Sequence, residues 1–441
     1  MSPAVDWIAQ PGRALQGRMR VPGDKSVSHR AIMLGALAEG VTRVSGFLEG
    51  EDTLATAAAF RAMGVAIEAE GAGRRIIHGV GLHGLKVPGA AIDCGNAGTG
   101  MRLLSGVLAG QSFDTVLTGD ASLSRRPMRR VTEPLAKMGA FIETAEGGTP
   151  PLRIHGGHAL HGIDYTLPVA SAQVKSALLL AGMYAQGTTI VREPHPTRDY
   201  TERMLAAFGW PIEFSPGYAK ISGGHRLVAR DIAVPADFSS AAFFLVAASI
   251  IEGSDLTLEA VGMNPRRTGL LDALKLMGAD IEAQNLREEG GEPVADLRIR
   301  SAPLRGIEVP EHLVPDMIDE FPILFIAAAC ATGTTVVRGA AELRVKESDR
   351  IATMATGLRA LGIVVDETPD GAVIHGKGGV ALPFTGGEIL SHGDHRIAMS
   401  FVVAAQRASA AVMVRDCANV ATSFPGFAEL ARDAGVALDA A

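Results

Sequence analysis

The sequence predicts an α/β (α+β) chain of two similar domains, each assembled from three repeated units with helices inside and small sheets outside. Three observations predict it. One phrase, a helical segment closed by an apolar residue and a glycine and followed at once by a short strand, recurs six times along the 441 residues. A second series of six polar helix starts, each opening an Ala/Leu/Val-rich helix, is interleaved with the first. A unit of roughly 70 residues with two helices leaves apolar helix faces bare, so three units around a shared helical core make a reasonable domain.

The closing phrases come in order as Met63-Gly64-Val65, Met138-Gly139-Ala140, Phe208-Gly209-Trp210, Met277-Gly278-Ala279, Leu361-Gly362-Ile363 and Ala434-Gly435-Val436. Their glycines lie 75, 70, 69, 84 and 73 residues apart, each where a left-handed C′ glycine would end a helix. The interleaved starts are Asp24-Lys25-Ser26, Gly95-Asn96-Ala97-Gly98-Thr99, Ser171-Ala172-Gln173, Asp237-Phe238-Ser239, Asp316-Met317-Ile318-Asp319 and Gly393-Asp394-His395-Arg396. Each helix is followed by a β-branched strand, such as Val41–Val44, Thr188–Val191 or Val412–Val414. The repeat therefore runs helix, strand, loop, helix, strand, strand. The domain switch is expected near Asp231–Asp237, giving one domain of residues 23–235 and one of 1–22 plus 236–441, with the first ~20 residues pairing back onto the second domain.

Composition narrows the function. A net charge of −7 and a pI near 6.0 argue against nucleic acid or acidic lipid as partners, so any cationic site is local. Cys94, Cys330 and Cys417 are far apart and lack CxxC spacing, which indicates neither a disulfide framework nor a zinc site. The apolar runs Ala241–Ile251 and Ile323–Ala331 are well short of the ~20 residues that span a bilayer. The N-terminal residues lack a signal-peptide pattern. A cytoplasmic monomer acting on small molecules, with no cofactor, metal, membrane or nucleic-acid partner, is the expectation.

The charged stretches can be taken two ways. In Gly23–Arg30 a lysine sits in the first turn of a helix, where the dipole favours anions, so something anionic should face it; a capped helix start with solvated charges is the plainer account. Asp120–Arg130 carries four arginines in six positions, with Pro127 expected to open the next helix. Arg198, Arg266, Arg267 and Arg350 recur in equivalent post-strand loops, which weakens the account of a merely solvated patch. Leu343–Arg350, if helical, is either a surface ion-pair ladder or a cation pair with Glu347 poised for proton transfer. Asp316, Asp319 and Glu320 are more acids than a helix cap requires. No Walker loop, nucleophile elbow or metal cage is present.

Gly23-Asp24-Lys25-Ser26-Val27-Ser28-His29-Arg30, Gly95-Asn96-Ala97-Gly98-Thr99, Arg126-Pro127-Met128, Ser171-Ala172-Gln173, Arg344–Arg350 and Asp394-His395-Arg396, in this order, resemble the 3-phosphoshikimate 1-carboxyvinyltransferase (5-enolpyruvylshikimate-3-phosphate synthase) family over essentially the whole chain. The resemblance implies the inside-out α/β barrel fold of the enolpyruvyltransferases, with the active site in an interdomain cleft. It also implies transfer of the enolpyruvyl group of phosphoenolpyruvate to the 5-hydroxyl of shikimate 3-phosphate. Carried over, Lys25, Ser26, Arg30, Ser171, Ala172, Gln173, Arg198, Asp319 and Lys346 resemble the shikimate 3-phosphate ligands. Lys25, Asn96, Gly98, Thr99, Arg126, Gln173, Arg350 and Arg396 resemble the phosphoenolpyruvate side, and Asp319, Glu347 and Lys25 the catalytic groups.

Two departures resemble the family's second subclass: Ala172 stands where many members have Ser, and Thr422-Ser423-Phe424-Pro425 lacks a preceding lysine that many carry. Gly98 stands where some inhibitor-tolerant members have Ala, so glyphosate is expected to compete with phosphoenolpyruvate. The related UDP-N-acetylglucosamine enolpyruvyltransferases would be expected to carry a reactive Cys or Asp in the loop corresponding to Asp120–Arg130, which has no cysteine.

Overall fold

The computed structural model describes residues 5–440; residues 1–4 and Ala441, which the 1–22 and 236–441 segments include, lie outside the described residues. The chain forms two compact units, one of Gly23–Pro235 with Glu288–Glu292, the other of Met1–Pro22, Ala236–Arg287 and Pro293–Ala441.

The 23–235 unit contains α1 (Lys25–Leu37), α2 (Glu51–Ala62), α3 (Gly98–Ala109), α4 (Arg129–Lys137), α5 (Ala172–Gly182) and α6 (Tyr200–Ala207). The odd-numbered helices are the Ala/Leu-rich series. Every residue from Val27 to Leu37 and from Val174 to Gly182 is buried, so these helices have no polar stripe because no side of them meets water. Close approach needs a missing side chain: a Cβ at Gly106 of α3 would lie 2.2 Å from the Ala177 carbonyl oxygen of α5. Three sheets flank this helical core. Their strand orders are Leu227–Val228, Ala38–Ser45, Arg75–Val80, Ala66–Ala69; then Ile92–Asp93, Thr115–Thr118, Thr149–His155, Phe141–Ala145; then Asp164–Thr166, Thr188–Arg192, Tyr218–Ser222, Ile212–Ser215.

The second unit repeats the plan with α7 (Phe238–Ile250), α8 (Gly269–Leu276), α9 (Phe321–Cys330), α10 (Arg350–Ala360), α11 (His395–Ala405) and α12 (Phe427–Asp433). All of α7 is buried, as are Phe321–Ala329 of α9. Trp7–Ala9 pairs antiparallel with Val412–Arg415 and Leu438–Ala440, and Gln16–Met19 runs parallel to Asp255–Gly262, so the N-terminal segment completes two of this unit's sheets. The six repeat glycines, 64, 139, 209, 278, 362 and 435, all have positive φ, from 81° to 104°, immediately after the even-numbered helices. This is the left-handed C′ position at which a Cβ is disfavoured.

Three local expectations differ from the structure, and some short strands are not anticipated from the sequence. The fifth inner helix starts at Phe321 rather than at Asp316, because Pro322 fits only the first turn and the preceding acids make turns. Helix α4 starts at Arg129, two residues beyond Pro127. Residues 343–349 are not one helix: Ala341–Val345 is a 3₁₀ turn and Arg350 opens α10, so Lys346 and Arg350 share no helix face. Short parallel edge strands such as Ile92–Asp93 and Asp164–Thr166 are too brief to show a period in sequence.

Candidate active site

In the 23–235 unit the predicted residues gather at the N-terminal ends of α1, α3 and α5. Asp24 caps α1, its carboxylate accepting from the Val27 amide at 2.9 Å and from the Tyr200 hydroxyl at 3.0 Å. Lys25, at the positive end of the helix dipole, is met by Asp52 Oδ2 at 3.1 Å. The anion demanded by the sequence is thus partly supplied by the protein, from the first turn of α2. Arg30 is buried; it donates to Thr201 Oγ1 at 2.7 Å, Ser176 Oγ at 2.9 Å and the Ser26 carbonyl at 2.9 Å. Burial pulls its pKa down to about 10, with the nearby Arg198 charge acting the same way against Glu202, Asp24 and Tyr200.

Helix α3 starts without a side-chain cap, at the loop Gly95–Ala97. Asn96 donates to Asp120 at 2.7 Å and accepts from Arg126 Nη2 at 2.7 Å, which turns Arg126 toward the loop. Arg125, Arg129 and Arg130 are exposed, so a solvated surface does account for those three. Gln173 of α5 bridges to α3, donating to Thr99 Oγ1 at 2.8 Å and accepting from Arg102. Ser171 caps α5 through the Val174 amide at 3.4 Å, and Ala172 is the first residue of that helix.

In the second unit the predicted residues converge on Arg350, which is 2% exposed at its side chain. It donates to Asp394 Oδ2 at 2.8 Å, Glu347 Oε2 at 2.7 Å and Asp319 Oδ1 at 3.4 Å. Burial opposes its charge, yet Asp394, Glu347 and Asp319 together raise its pKa above the ordinary arginine value. Burial likewise works to raise Asp394, but Arg350 and His395 hold it below the usual carboxylate value. Lys346 reaches Glu342 at 2.7 Å and Asp319 at 3.6 Å; Arg267 lies 3.5 Å from the other Asp319 oxygen. Arg396 donates to the Asp319 carbonyl at 2.9 Å and approaches Glu320 at 3.4 Å. Asp319 thus lies among three cations, Arg350, Lys346 and Arg267.

Sequence reasoning missed Asp52, Asp120 and Tyr200. Asp52 belongs to none of the motifs, and Asp120 stands at the start of the arginine-rich loop; no local signal distinguishes either. A concavity of about 520 Å³ in the 23–235 unit, near the C-terminal ends of α1 and α5, is lined by His83, Tyr184 and His225 and by none of the predicted residues. Among the described residues no His/Cys/Asp/Glu group suits a metal ion, and no helix is long and apolar enough to cross a membrane.

The family model described as EPSP synthase (3-phosphoshikimate 1-carboxyvinyltransferase) matches residues 9–430. The chain is 70% identical over 434 residues to the 3-phosphoshikimate 1-carboxyvinyltransferase of Xanthomonas campestris pv. campestris (strain B100), covering 98% of each. The solved EPSP synthase of Acinetobacter baumannii superposes with a TM-score of 0.92 at 57% identity, covering 99% of this chain and 100% of that one. The enolpyruvyl transferase NikO of Streptomyces tendae, 18% identical and covering 99% of both chains with a TM-score of 0.81, shares the fold.

Proposed function

The chain belongs to the EPSP synthase family, and on that premise we propose how its residues carry out the family's reaction. The enolpyruvyl group of phosphoenolpyruvate passes to the 5-hydroxyl of shikimate 3-phosphate, giving 5-enolpyruvylshikimate 3-phosphate and phosphate, on the route to chorismate and the aromatic amino acids. The residue clusters of both units would act on the same pair of substrates.

Lys25, Ser26, Arg30, Ser171, the backbone of Ala172, Gln173, Arg198, Asp319 and Lys346 hold shikimate 3-phosphate. Lys25, Asn96, Gly98, Thr99, Arg126, Gln173, Arg350 and Arg396 hold phosphoenolpyruvate. Glu347 gives a proton to the methylene carbon while the 5-hydroxyl oxygen attacks the adjacent carbon and Asp319 takes the hydroxyl proton. Glu347, now a carboxylate, takes a methyl proton back from the tetrahedral adduct as the C–O bond to phosphate breaks, and Asp319 returns its proton to the leaving phosphate, whose developing charge Arg126, Arg350 and Lys25 offset. Glyphosate competes with phosphoenolpyruvate beside Gly98. The protein works as a cytoplasmic monomer, which is consistent with both clusters coming from one chain.

The observation that carries this assignment is the Arg350 guanidinium bridging two carboxylates of unlike exposure, Asp319 at 16% and Glu347 at 34%. One fixed guanidinium orients both carboxylates that the proposed proton transfers use. Phosphate release from phosphoenolpyruvate plus shikimate 3-phosphate tests it. Glu347→Gln is expected to lower kcat by about 10²–10⁴-fold with shikimate 3-phosphate binding retained. No phosphate release by the native protein, or undiminished kcat in the variant, would refute it.

A further inference from the structure

One group of buried charges in the 23–235 unit lies outside the assigned ligands. Lys175 Nζ is 2.8 Å from Glu193 Oε2 and 2.8 Å from Glu202 Oε1, and the three side chains are 3%, 0% and 2% exposed. Burial opposes the Lys175 charge, but Glu202 and Glu193 hold its pKa above the ordinary lysine value. Buried ion pairs add little stability over apolar residues of the same volume, so stabilisation alone is a weak reason for this triad.

Its connections suggest another role. Lys175 stands one turn into α5, its amide bonded to the Ser171 carbonyl at 3.0 Å. Glu193 opens the loop between the strand Thr188–Arg192 and α6. Its carboxylate accepts from the Thr197 amide at 3.3 Å and from the Thr197 hydroxyl, while Lys175 donates to the Thr197 carbonyl at 3.5 Å. Thr197 is therefore clamped, and the next residue is Arg198. Glu202 lies in the first turn of α6, whose Thr201 hydroxyl contacts Arg30 at 2.7 Å and Ser176 at 2.7 Å. The Glu202 carboxylate also favours the charge of Arg30, against the opposing effect of burial and of Arg198.

We propose that Lys175, Glu193 and Glu202 form a positioning device that fixes the Arg198 loop relative to Ser171 and Gln173 on α5, and so sets affinity for the phosphate of shikimate 3-phosphate. The inference rests on the assignment of Arg198 to that phosphate. The test is calorimetric Kd for shikimate 3-phosphate and KM for phosphoenolpyruvate at saturating co-substrate, for Glu193→Gln, Lys175→Met and Thr197→Val in native and Arg198→Ala backgrounds. Glu193→Gln and Lys175→Met are expected to raise the Kd about tenfold, and Thr197→Val about threefold, leaving the KM for phosphoenolpyruvate within about twofold. In the Arg198→Ala background the added effect is expected to fall below about twofold, because residues acting through one another are not additive. Thr197→Val leaves the buried charges intact and reports even where Lys175→Met fails to fold. An undiminished effect in the Arg198→Ala background, or an unchanged Kd in Thr197→Val and Glu193→Gln, overturns the proposal while the Arg198 assignment stands. An unchanged Kd in Arg198→Ala itself overturns both.

Discussion

Replacing Gly98 by alanine probes the phosphoenolpyruvate side with a single methyl group. Gly98 is the first residue of α3 and does not have a positive φ, so alanine is compatible with its backbone. The added Cβ would lie 2.9 Å from Arg126 Nη1, 3.6 Å from Leu123 Cδ1 and 3.7 Å from Arg102 Nη1. Only the first contact is too close, and it involves the far end of a flexible side chain. The guanidinium must retreat by about half an ångström to reach ordinary van der Waals distance. Arg126 Nη2 now donates to Asn96 at 2.7 Å, and that bond weakens as the group moves. A hydrogen bond to a charged group is worth about 1.5–3 kcal/mol, and each 1.4 kcal/mol is tenfold. Partial loss therefore raises the KM for phosphoenolpyruvate about tenfold, with the Kd for shikimate 3-phosphate and the Tm almost unchanged. The methyl crowds the bulkier glyphosate more, so its inhibition constant rises further than the KM. Steady-state phosphate release with and without glyphosate checks this; equal inhibition constants in the two proteins, or a KM within twofold, would refute the reasoning.

Lys25→Ala leaves Asp52 facing the site without its 3.1 Å partner, so both substrates are expected to bind at least about tenfold more weakly by titration, while the lost pair changes unfolding stability by about 1 kcal/mol or less. Asp394→Ala takes from Arg350, 2% exposed, its fully buried carboxylate partner and leaves it Glu347 and Asp319; the urea midpoint is expected to fall, by less than the about 3–5 kcal/mol of a buried charge left wholly unpaired, whereas Asp280→Ala at the half-exposed Arg300 pair is expected to shift it little. His29 is buried with Nδ1 at 2.8 Å from Thr56, and burial lowers its pKa to about 3, Lys25 and Arg30 adding to this against Asp52. Between pH 6.5 and about 3 only the unfolded state protonates it, so stability falls with falling pH by about 1.4 kcal/mol per unit. Urea unfolding at pH 6.5 and 5 should show a loss about 2 kcal/mol smaller in His29→Gln; equal losses would refute this.

Local chemistry carried much of the architecture. The six glycines were readable because a helix ending in a left-handed residue disfavours a Cβ, and that constraint repeats wherever the unit does. The inner helices were readable because helices buried all round must be apolar all round, and their polar starts marked which ends carry the charge. Family resemblance then named the substrate side of each motif.

The sequence by itself determined the repeat, the glycine-marked C-terminal ends of the even-numbered helices and the residue types at the site, since these follow from hydrogen bonding and burial within a few neighbouring residues. Only the tertiary structure decided which charges meet. Lys25 and Asp52 are 27 residues apart, Arg350 and Asp319 are 31 apart, and Arg350 and Asp394 are 44 apart. Nothing in local spacing selects those partners, because a long-range ion pair depends on where separate helices bring their N-termini together. The triad of Lys175, Glu193 and Glu202 arises the same way, from a strand end and two helices closing on one buried point.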